Sequence, residues 1–490
     1  MKNHTGVNHT VIVGNALAGM VAALELAEQG KQVTLVNPGG PLGGYFAGLQ
    51  IDGVMFDAGL VKFELDGYLN QAKWSELATY DATVRNDVGR FLNIVHEWAL
   101  KYSTLNQFSM PKMMVDGAVY DDVILSNAYN SFSQFPFAKN CIAELQKAQP
   151  EASIHARQKS NGDAYETLDY ATASIANHGK TMHEKIIAPY LLKAQGVTAD
   201  RMLARYHRVA WLPLFYPETL LDSYQGKPVS LAPTKFHYPK LSSVGAIVSQ
   251  VKAEVLAHKN IHYVTQAVQQ VTKTEEGWQV RCAETELNAT DLVWTYQPSQ
   301  LLKCLGLQPT PVQETKSAIA VSFFRIKKAD IRNVYTLLNV VDLNCSLYRI
   351  TNQTACAEDH GDFMNIAAEF NSDYFRKLYG DSTDDAFVIE KLLAELAHMG
   401  LIAEDTVPVI AAIKRIPGGF LVPDAASRDA WEQDQRTIIQ HYPEIALLAM
   451  SSGFFATSLN DQVVQGLHYA ATKQHILPVD ISTEALAVHA

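Results

Sequence analysis

Residues 11–44 constrain this chain more than any other stretch. They read V-I-V-G-N-A-L-A-G-M-V-A-A-L-E-L-A-E-Q-G-K-Q-V-T-L-V-N-P-G-G-P-L-G-G. An apolar run, Val11-Ile12-Val13, ends at Gly14, and a second glycine follows at Gly19. An Ala-rich helical pattern covers 20–29 and stops at Gly30, and a β-branched run at 32–36 closes the unit. Strand, glycine turn, helix and strand in this order form the dinucleotide-binding βαβ unit. Its chemistry lies in the backbone. Gly14 permits the sharp turn, small Ala16 lets the main chain approach a pyrophosphate, and Gly19 allows close helix–strand packing. The helix N-terminus offers free N–H groups to anionic oxygens, and Leu17 and Ala18, just before it, are expected beside the cofactor. Two positions depart from the usual pattern. Ala16 stands at the middle glycine, and Asn37, followed by Pro38, stands where an acidic residue usually receives the ribose hydroxyls. An Asn accepts through its side-chain carbonyl, more weakly than a carboxylate. A strand–helix corner that needs glycine only for packing would use similar residues, so the reading rests on the whole unit being in register.

At 490 residues the chain exceeds one ordinary core, which predicts two closely packed domains. The apolar fraction of 48% describes a globular protein. A formal charge of -11 argues against sequence-independent binding to nucleic acid or to an anionic membrane. Cys141, Cys282, Cys304, Cys345 and Cys356 are scattered without C-x-x-C, as free thiols in a reducing compartment are. Residues 1–10 are polar and too short for a signal sequence, and no apolar run reaches membrane-spanning length. A cytoplasmic location and a small-molecule substrate are the expectation. The sixteen histidines include no H-E-x-x-H, so no metal is expected. G-x-S-x-G and the G-K-[ST] phosphate loop are missing too, which leaves hydrolase and kinase readings without their motifs.

The remaining pattern alternates in type. Helical spacing covers 70–102, with Val84, Val88, Phe91, Ile94, Val95 and Trp98 on one side. Asp116-Gly117 signals a hairpin, and helical patterns resume at 140–149 and 163–196. An aromatic, proline-rich stretch at 210–239 carries Trp211, Phe215 and Tyr216. A second α/β segment follows: a helix at 245–258, then strands at 261–264, 267–271, 278–282 and 292–295. Strand-like runs at 318–326 and 363–370 precede helices at 385–399 and 433–441, an apolar run from Ala446, and a last helical pattern at 461–474. This order predicts an α/β fold with α+β insertions. A discontinuous Rossmann-like nucleotide domain would comprise 1–70, 236–305 and 411–475. A mixed sheet-plus-helix substrate domain would comprise 71–235 and 306–410, and ligand sites favour such interfaces.

After the second strand the chain gives Gly39-Gly40-Pro41-Leu42-Gly43-Gly44 and then Asp57-Ala58-Gly59. A double glycine followed by D-x-G resembles the flavoprotein superfamily of amine oxidases, protoporphyrinogen oxidases, carotenoid desaturases and UDP-galactopyranose mutases. Asn177-His178-Gly179-Lys180, with Pro189-Tyr190-Leu191-Leu192-Lys193 and Gly196, is similar to a helical segment of that family. So are the strand-to-loop run Trp294-Thr295-Tyr296-Gln297-Pro298, Ser452-Gly453-Phe454, and Asn460-Asp461-Gln462-Val463. The resemblance implies FAD, with Gly43 and Gly44 under the pyrophosphate and flavin. It implies a backbone contact to adenine at Val268, and a last flavin-binding strand and helix at Gly453 and 460–463. Departures accompany it. Tyr45 stands where Arg is common, Val61 where His is frequent, and Ser452 where Arg precedes the glycine. Val61 excludes histidyl attachment of flavin at that position. Cofactor binding is therefore expected to rest on backbone donors and the helix dipole.

In such a site negative charge develops at one edge of the flavin, and a helix N-terminus aimed there stabilises it. The 460–472 helix is the candidate, with Asn460 or Asp461 as cap and Gln462 and Val463 supplying N–H groups. Lys193 and Tyr190 are candidates for holding substrate, although a lysine so placed also fits a surface ion pair. Arg349, beside Tyr348, is either substrate-facing or an interior salt-bridge residue. Trp211, Phe215 and Tyr216 suit a substrate channel, a packed core or, less well without basic neighbours, a membrane-dipping lip. Three functions follow from these residues. The first is an FAD-dependent oxidoreductase taking a hydride from a C–N or C–C bond, with oxygen or another acceptor reoxidising the flavin. The second is non-redox flavin use of the sugar-mutase type. The third is a non-catalytic flavin-binding protein.

Overall fold

The structure is a computed structural model that describes residues 9–473 apart from 66–93, 127, 149–166, 216, 228–234, 383, 417 and 456. The predicted helical pattern before residue 94, part of the 163–196 pattern, and Tyr216 therefore lie outside the described residues.

Strand His9–Val13, helix Leu17–Glu28 and strand Gln32–Val36 form the expected βαβ unit, the strands pairing in parallel. Three later segments complete a parallel sheet in the order Ile261–Val264, Gln32–Val36, His9–Val13, Asp291–Trp294, Ala446–Leu447. The first helix is rich in small residues, so it lies close to both its sheet and the C-terminal helix Leu459–Thr472. A Cβ on Gly466 would stand 2.7 Å from the Ala18 carbonyl oxygen. Glycine is what lets these two helices touch. On the other face of the sheet the antiparallel strands Val268–Thr274, Gly277–Cys282 and Glu286–Ala289 bury Trp278 against Leu292 and Ile438.

The second unit is a seven-stranded sheet ordered Ile410–Arg415, Ile319–Lys327, Phe363–Asn371, Leu347–Asn352, Leu337–Val340, Lys112–Val115, Ala118–Asp121. Its central strands are buried along most of their length because both faces are covered. Helices Ser372–Tyr379 and Asp385–His398 cover one face. The hairpin turns at Asp116 and Gly117, both at positive φ, as the D-G pair predicts. A helical body packs beside the sheet. Helix Tyr170–His178 ends at Gly179, where a Cβ would meet the Glu144 carboxylate at 2.6 Å. Helical chain resumes at Lys180 and passes through a π-turn, His183–Ile187, just before Pro189, which lacks the N–H an α-helix would use.

Two domain boundaries differ from the sequence expectation. Residues 94–108 were assigned to the inserted domain, yet Val95, Trp98 and Phe108 pack in the core of the nucleotide unit. Residues 411–415, expected to open the last nucleotide segment, belong to strand Ile410–Arg415, which pairs with Ile319–Lys327 in the second sheet. Both segments lie where the chain crosses between units, and local pattern does not report which core receives a strand or helix.

Candidate cofactor and substrate cleft

A cleft of about 650 Å³ runs between the glycine turn of the parallel sheet and the seven-stranded sheet. At its dinucleotide end the chain presents backbone. Gly14 has φ +131°, and a Cβ there would lie 1.8 Å from Thr295 Oγ1. Gly43, at φ +95°, bridges to Ala16 and donates its N–H to the Asn15 carbonyl at 2.8 Å. A Cβ on Gly43 would strike Val248 at 2.3 Å, whereas one on Gly44 would find its nearest neighbour at 3.9 Å. Gly43 is required by packing, and Gly44 keeps the loop's backbone open to the cleft. Ala16, Gly43, Gly44, Tyr45, Thr295 and Tyr296 all line this end. Tyr45 donates its hydroxyl to the Ala58 carbonyl, which anchors it across the loop.

The D-x-G motif proves to be a joint between units. The Asp57 carboxylate caps helix Val244–Ala257, accepting from Val244 N at 3.1 Å and Gly245 N at 2.7 Å, and also from the Tyr238 hydroxyl. Gln353 of the second unit bonds both the N–H and the carbonyl of Asp57. Gly59, at φ +85°, leaves room for Glu369, whose Cδ would lie 2.8 Å from a Cβ there.

The far wall is made of buried ions and aromatic rings. Arg349 meets Glu369 through two hydrogen bonds, Nε to Oε2 at 2.5 Å and a terminal nitrogen to Oε1 at 2.6 Å. Both side chains are buried, and both line the cleft. Tyr348 donates to Glu369 at 3.3 Å, and Tyr190 donates to Asn339 at 3.2 Å while meeting Tyr348 edge-on. Burial pushes the Tyr190 hydroxyl pKa up, so it stays protonated at neutral pH. Lys62 pairs with Glu64 and sits 4.2 Å from the ring centres of both Trp211 and Phe236. Asn460 reaches from the C-terminal helix to the Glu64 carbonyl at 2.8 Å. Sequence reasoning missed Lys62, Glu64 and Glu369. No local motif marks them, although Lys62 follows directly on Val61, the position where a family histidine is absent.

The C-terminal helix corrects one expectation. Its cap is Ser458, not Asn460 or Asp461; Asp461 completes a capping box with Ser458. The Gln462 N–H donates to the Ser458 carbonyl and so is not free. Its side chain accepts from Ala18 N at 3.3 Å, tying the two helix N-termini together. Val463 is fully buried in the core. Leu459, Asn460, Asp461 and Gln462 line the cleft.

Other predicted residues fall elsewhere. Lys193 is fully buried, donates to the Asp342 carbonyl at 2.7 Å, and lies outside the cleft lining. Burial lowers its pKa, and it contacts the Cys345 thiol rather than a carboxylate. It is neither a substrate cation nor a surface ion pair. Asn37 is buried, accepts from Gly39 N at 3.0 Å, and donates to the Gly40 carbonyl at 3.0 Å and the Tyr263 hydroxyl at 2.9 Å. Its amide is committed to its own loop and to Tyr263, and Pro38 lies exposed beside it. Gly19, Leu17 and Ala18 are packing positions, with a Gly19 Cβ 3.2 Å from Ile12. Val268 begins an antiparallel strand outside the cleft, and Gly453 is buried. Ser452 is bonded by Gln465 and Gln435 in a buried network without space for an arginine. Phe215 belongs to the core of the helical body, whereas Trp211 lines the cleft. Among the described residues no group of His, Cys, Asp or Glu is placed to hold a metal ion. No described helix is long and apolar enough to cross a membrane.

Comparison with known proteins agrees with this geometry. Residues 9–49 match the family described as FAD binding domain. No curated protein matches at the sequence level. Among solved structures, reduced UDP-galactopyranose mutase superposes with a TM-score of 0.70 at 15% identity over 95% of each chain. A putative protoporphyrinogen oxidase from Exiguobacterium sp. 255-15 gives 0.61 at 15%, over 96% of this chain and 99% of that one. Cyclohexylamine oxidase from Brevibacterium oxydans IH-35A gives 0.58 at 13%, over 95% and 98%. The fold is shared with these solved structures, and the match of residues 9–49 to an FAD binding domain points to FAD as the group this cleft would take.

The residues present fit that group at the pyrophosphate, where Ala16, Gly43 and Gly44 offer backbone without side-chain obstruction. They fit it also at the C-terminal helix, whose first turn opens on the cleft. At the ribose position they fit less well, since the Asn37 amide is already bonded.

Proposed function

We propose that this chain is an FAD-dependent oxidoreductase that takes a hydride from a C–N or C–C bond of a small molecule, with oxygen or another acceptor completing the cycle. The observation that carries this reading is the continuity of one cleft from Ala16 and Gly44 to Tyr348, Arg349 and Trp211. FAD bound there supplies two-electron acceptance, and the protein's part is orientation, exclusion of water and tuning. Ala16, Gly43 and Gly44 leave the cofactor room to approach the backbone, and Gly14 makes the turn that brings Ala16 to the cleft. The first turn of helix Leu459–Thr472 adds N–H dipoles that favour negative charge. Tyr190, Tyr348 and Trp211 form the wall that orients substrate, and the closed Arg349–Glu369 pair keeps that wall rigid. Purified protein is expected to be yellow and to bleach anaerobically with its substrate. Failure to retain or take up any flavin overturns the proposal.

Non-redox use of the sugar-mutase type has one supporting observation, the TM-score of 0.70 to the reduced mutase. The charge arrangement weighs against it. Every lysine and arginine among the described lining residues already pairs with a carboxylate: Lys62 with Glu64, Lys316 with Glu314, Arg349 with Glu369. A nucleotide diphosphate would have to break one of these pairs. Turnover of a nucleotide sugar only after dithionite reduction would favour this second reading. A full absence of substrate-dependent bleaching would favour non-catalytic flavin binding.

A further inference from the structure

Trp211 holds φ +58°, a left-handed conformation that is a steric outlier for a bulky side chain. Such strain persists where the surroundings over-determine it, and it clusters at ligand sites. Here the surroundings do so residue by residue. Leu212 donates its N–H to the His207 carbonyl at 2.9 Å, and the His207 ring donates back to the Leu212 carbonyl at 2.7 Å. Tyr170 donates to the Pro213 carbonyl. Phe215 is held from both sides, its carbonyl by Asn177 at 2.7 Å and its N–H by His178 Nε2 at 2.9 Å. The helical body thus holds the backbone at three of the four residues after Trp211, and the indole lines the cleft instead of joining Phe215 in the core.

Two cations stand against that indole, Lys62 Nζ at 4.2 Å and the Arg349 guanidinium at 5.9 Å from its centre. Each is closed by a buried or partly buried carboxylate, Glu64 or Glu369. The wall is therefore positively faced close to the ring and balanced beyond it. An ammonium stacking on Trp211 meets two cations already in place, and an anion meets cations that have partners. We propose that Trp211 is the specificity-determining platform of the substrate subsite, and that it receives a neutral, planar, unsaturated group. The inference rests on the flavin oxidoreductase reading above and names the substrate class of that same site.

Three probes share one ring and differ in charge: benzamide, benzylamine and benzoate. Their dissociation constants at pH 7 are measured by calorimetry on the oxidised holoprotein, without turnover. Benzamide is expected to bind at least tenfold more tightly than either ion. Trp211→Gly accepts the left-handed backbone without strain and removes only the ring, so its melting curve is expected to stay cooperative while benzamide binding weakens at least tenfold. Trp211→Phe is expected to retain most of the binding and serves if the glycine variant does not fold. Equal or tighter binding of either ion overturns the inference, as does unchanged benzamide binding by the folded glycine variant. Benzamide selectivity in a protein that never bleaches would defeat the oxidoreductase reading and leave the inference standing.

Discussion

At the dinucleotide end the chain meets the cleft with backbone: Gly14, Ala16, Gly43 and Gly44 keep side chains out of the way. At the far end it meets the cleft with side chains, two closed ion pairs and three aromatic rings, all positioned from distant parts of the sequence. The first end fits a ligand part that recurs among many proteins, because pyrophosphate needs N–H groups and a helix N-terminus. The second end is built from side chains that both units contribute. Its buried charges are balanced locally, so it orients a ligand by shape more than by field. If the proposed function holds, cofactor and substrate recognition here depend on separable kinds of structure, and mutations should separate them.

The largest expected effect lies at the far wall. Arg349→Met leaves the Glu369 carboxylate buried without its partner and is expected to cost about 3–5 kcal/mol in urea unfolding. Adding Glu369→Leu should return most of that loss while flavin content stays unchanged. A double variant as unstable as the single one would break the distinction between the two ends.

Gly14→Ala tests the backbone end. Its positive φ alone implies a cost of about 1–3 kcal/mol, before the contact with Thr295 Oγ1. Flavin retained per protein chain, read from absorbance, is expected to fall sharply, and Thr295→Ala should recover part of it. Full flavin content in Gly14→Ala would mean that the turn is not under the cofactor.

Ser458→Ala gives the smallest change. Loss of the capping box is expected to lower stability by about 1 kcal/mol, read as a shifted urea midpoint. A slight weakening of flavin binding should accompany it, because the first turn of the helix lines the cleft. A larger loss of flavin than of stability would assign Ser458 a direct contact.

The candidate site was legible wherever one segment contains its own explanation. Gly14, Gly43 and Gly59 were legible because each needs positive φ or the absence of a Cβ. Their partners were not, since Thr295, Val248 and Glu369 lie far away in sequence. Lys193 and Arg349 looked alike as cations near tyrosines, yet one lies buried beside a thiol and the other lines the cleft. Nothing within either helix or strand distinguishes them. Asn37 stands out in the sequence as the unusual ribose position, but its own loop and the distant Tyr263 take up its amide. The Ser458 cap was missed in favour of its near neighbours, a difference of a few residues that backbone dihedrals decide.

By itself the sequence determined the βαβ unit and the FAD fingerprint, because strand and helix periodicity and glycine sterics act over short range. Tertiary structure alone decided which cations are paired, which aromatic ring faces the cleft, and which core receives 94–108 and Ile410–Arg415. Those outcomes depend on burial and on partners hundreds of residues apart, and a buried charge or a strained tryptophan acquires its meaning only from what surrounds it.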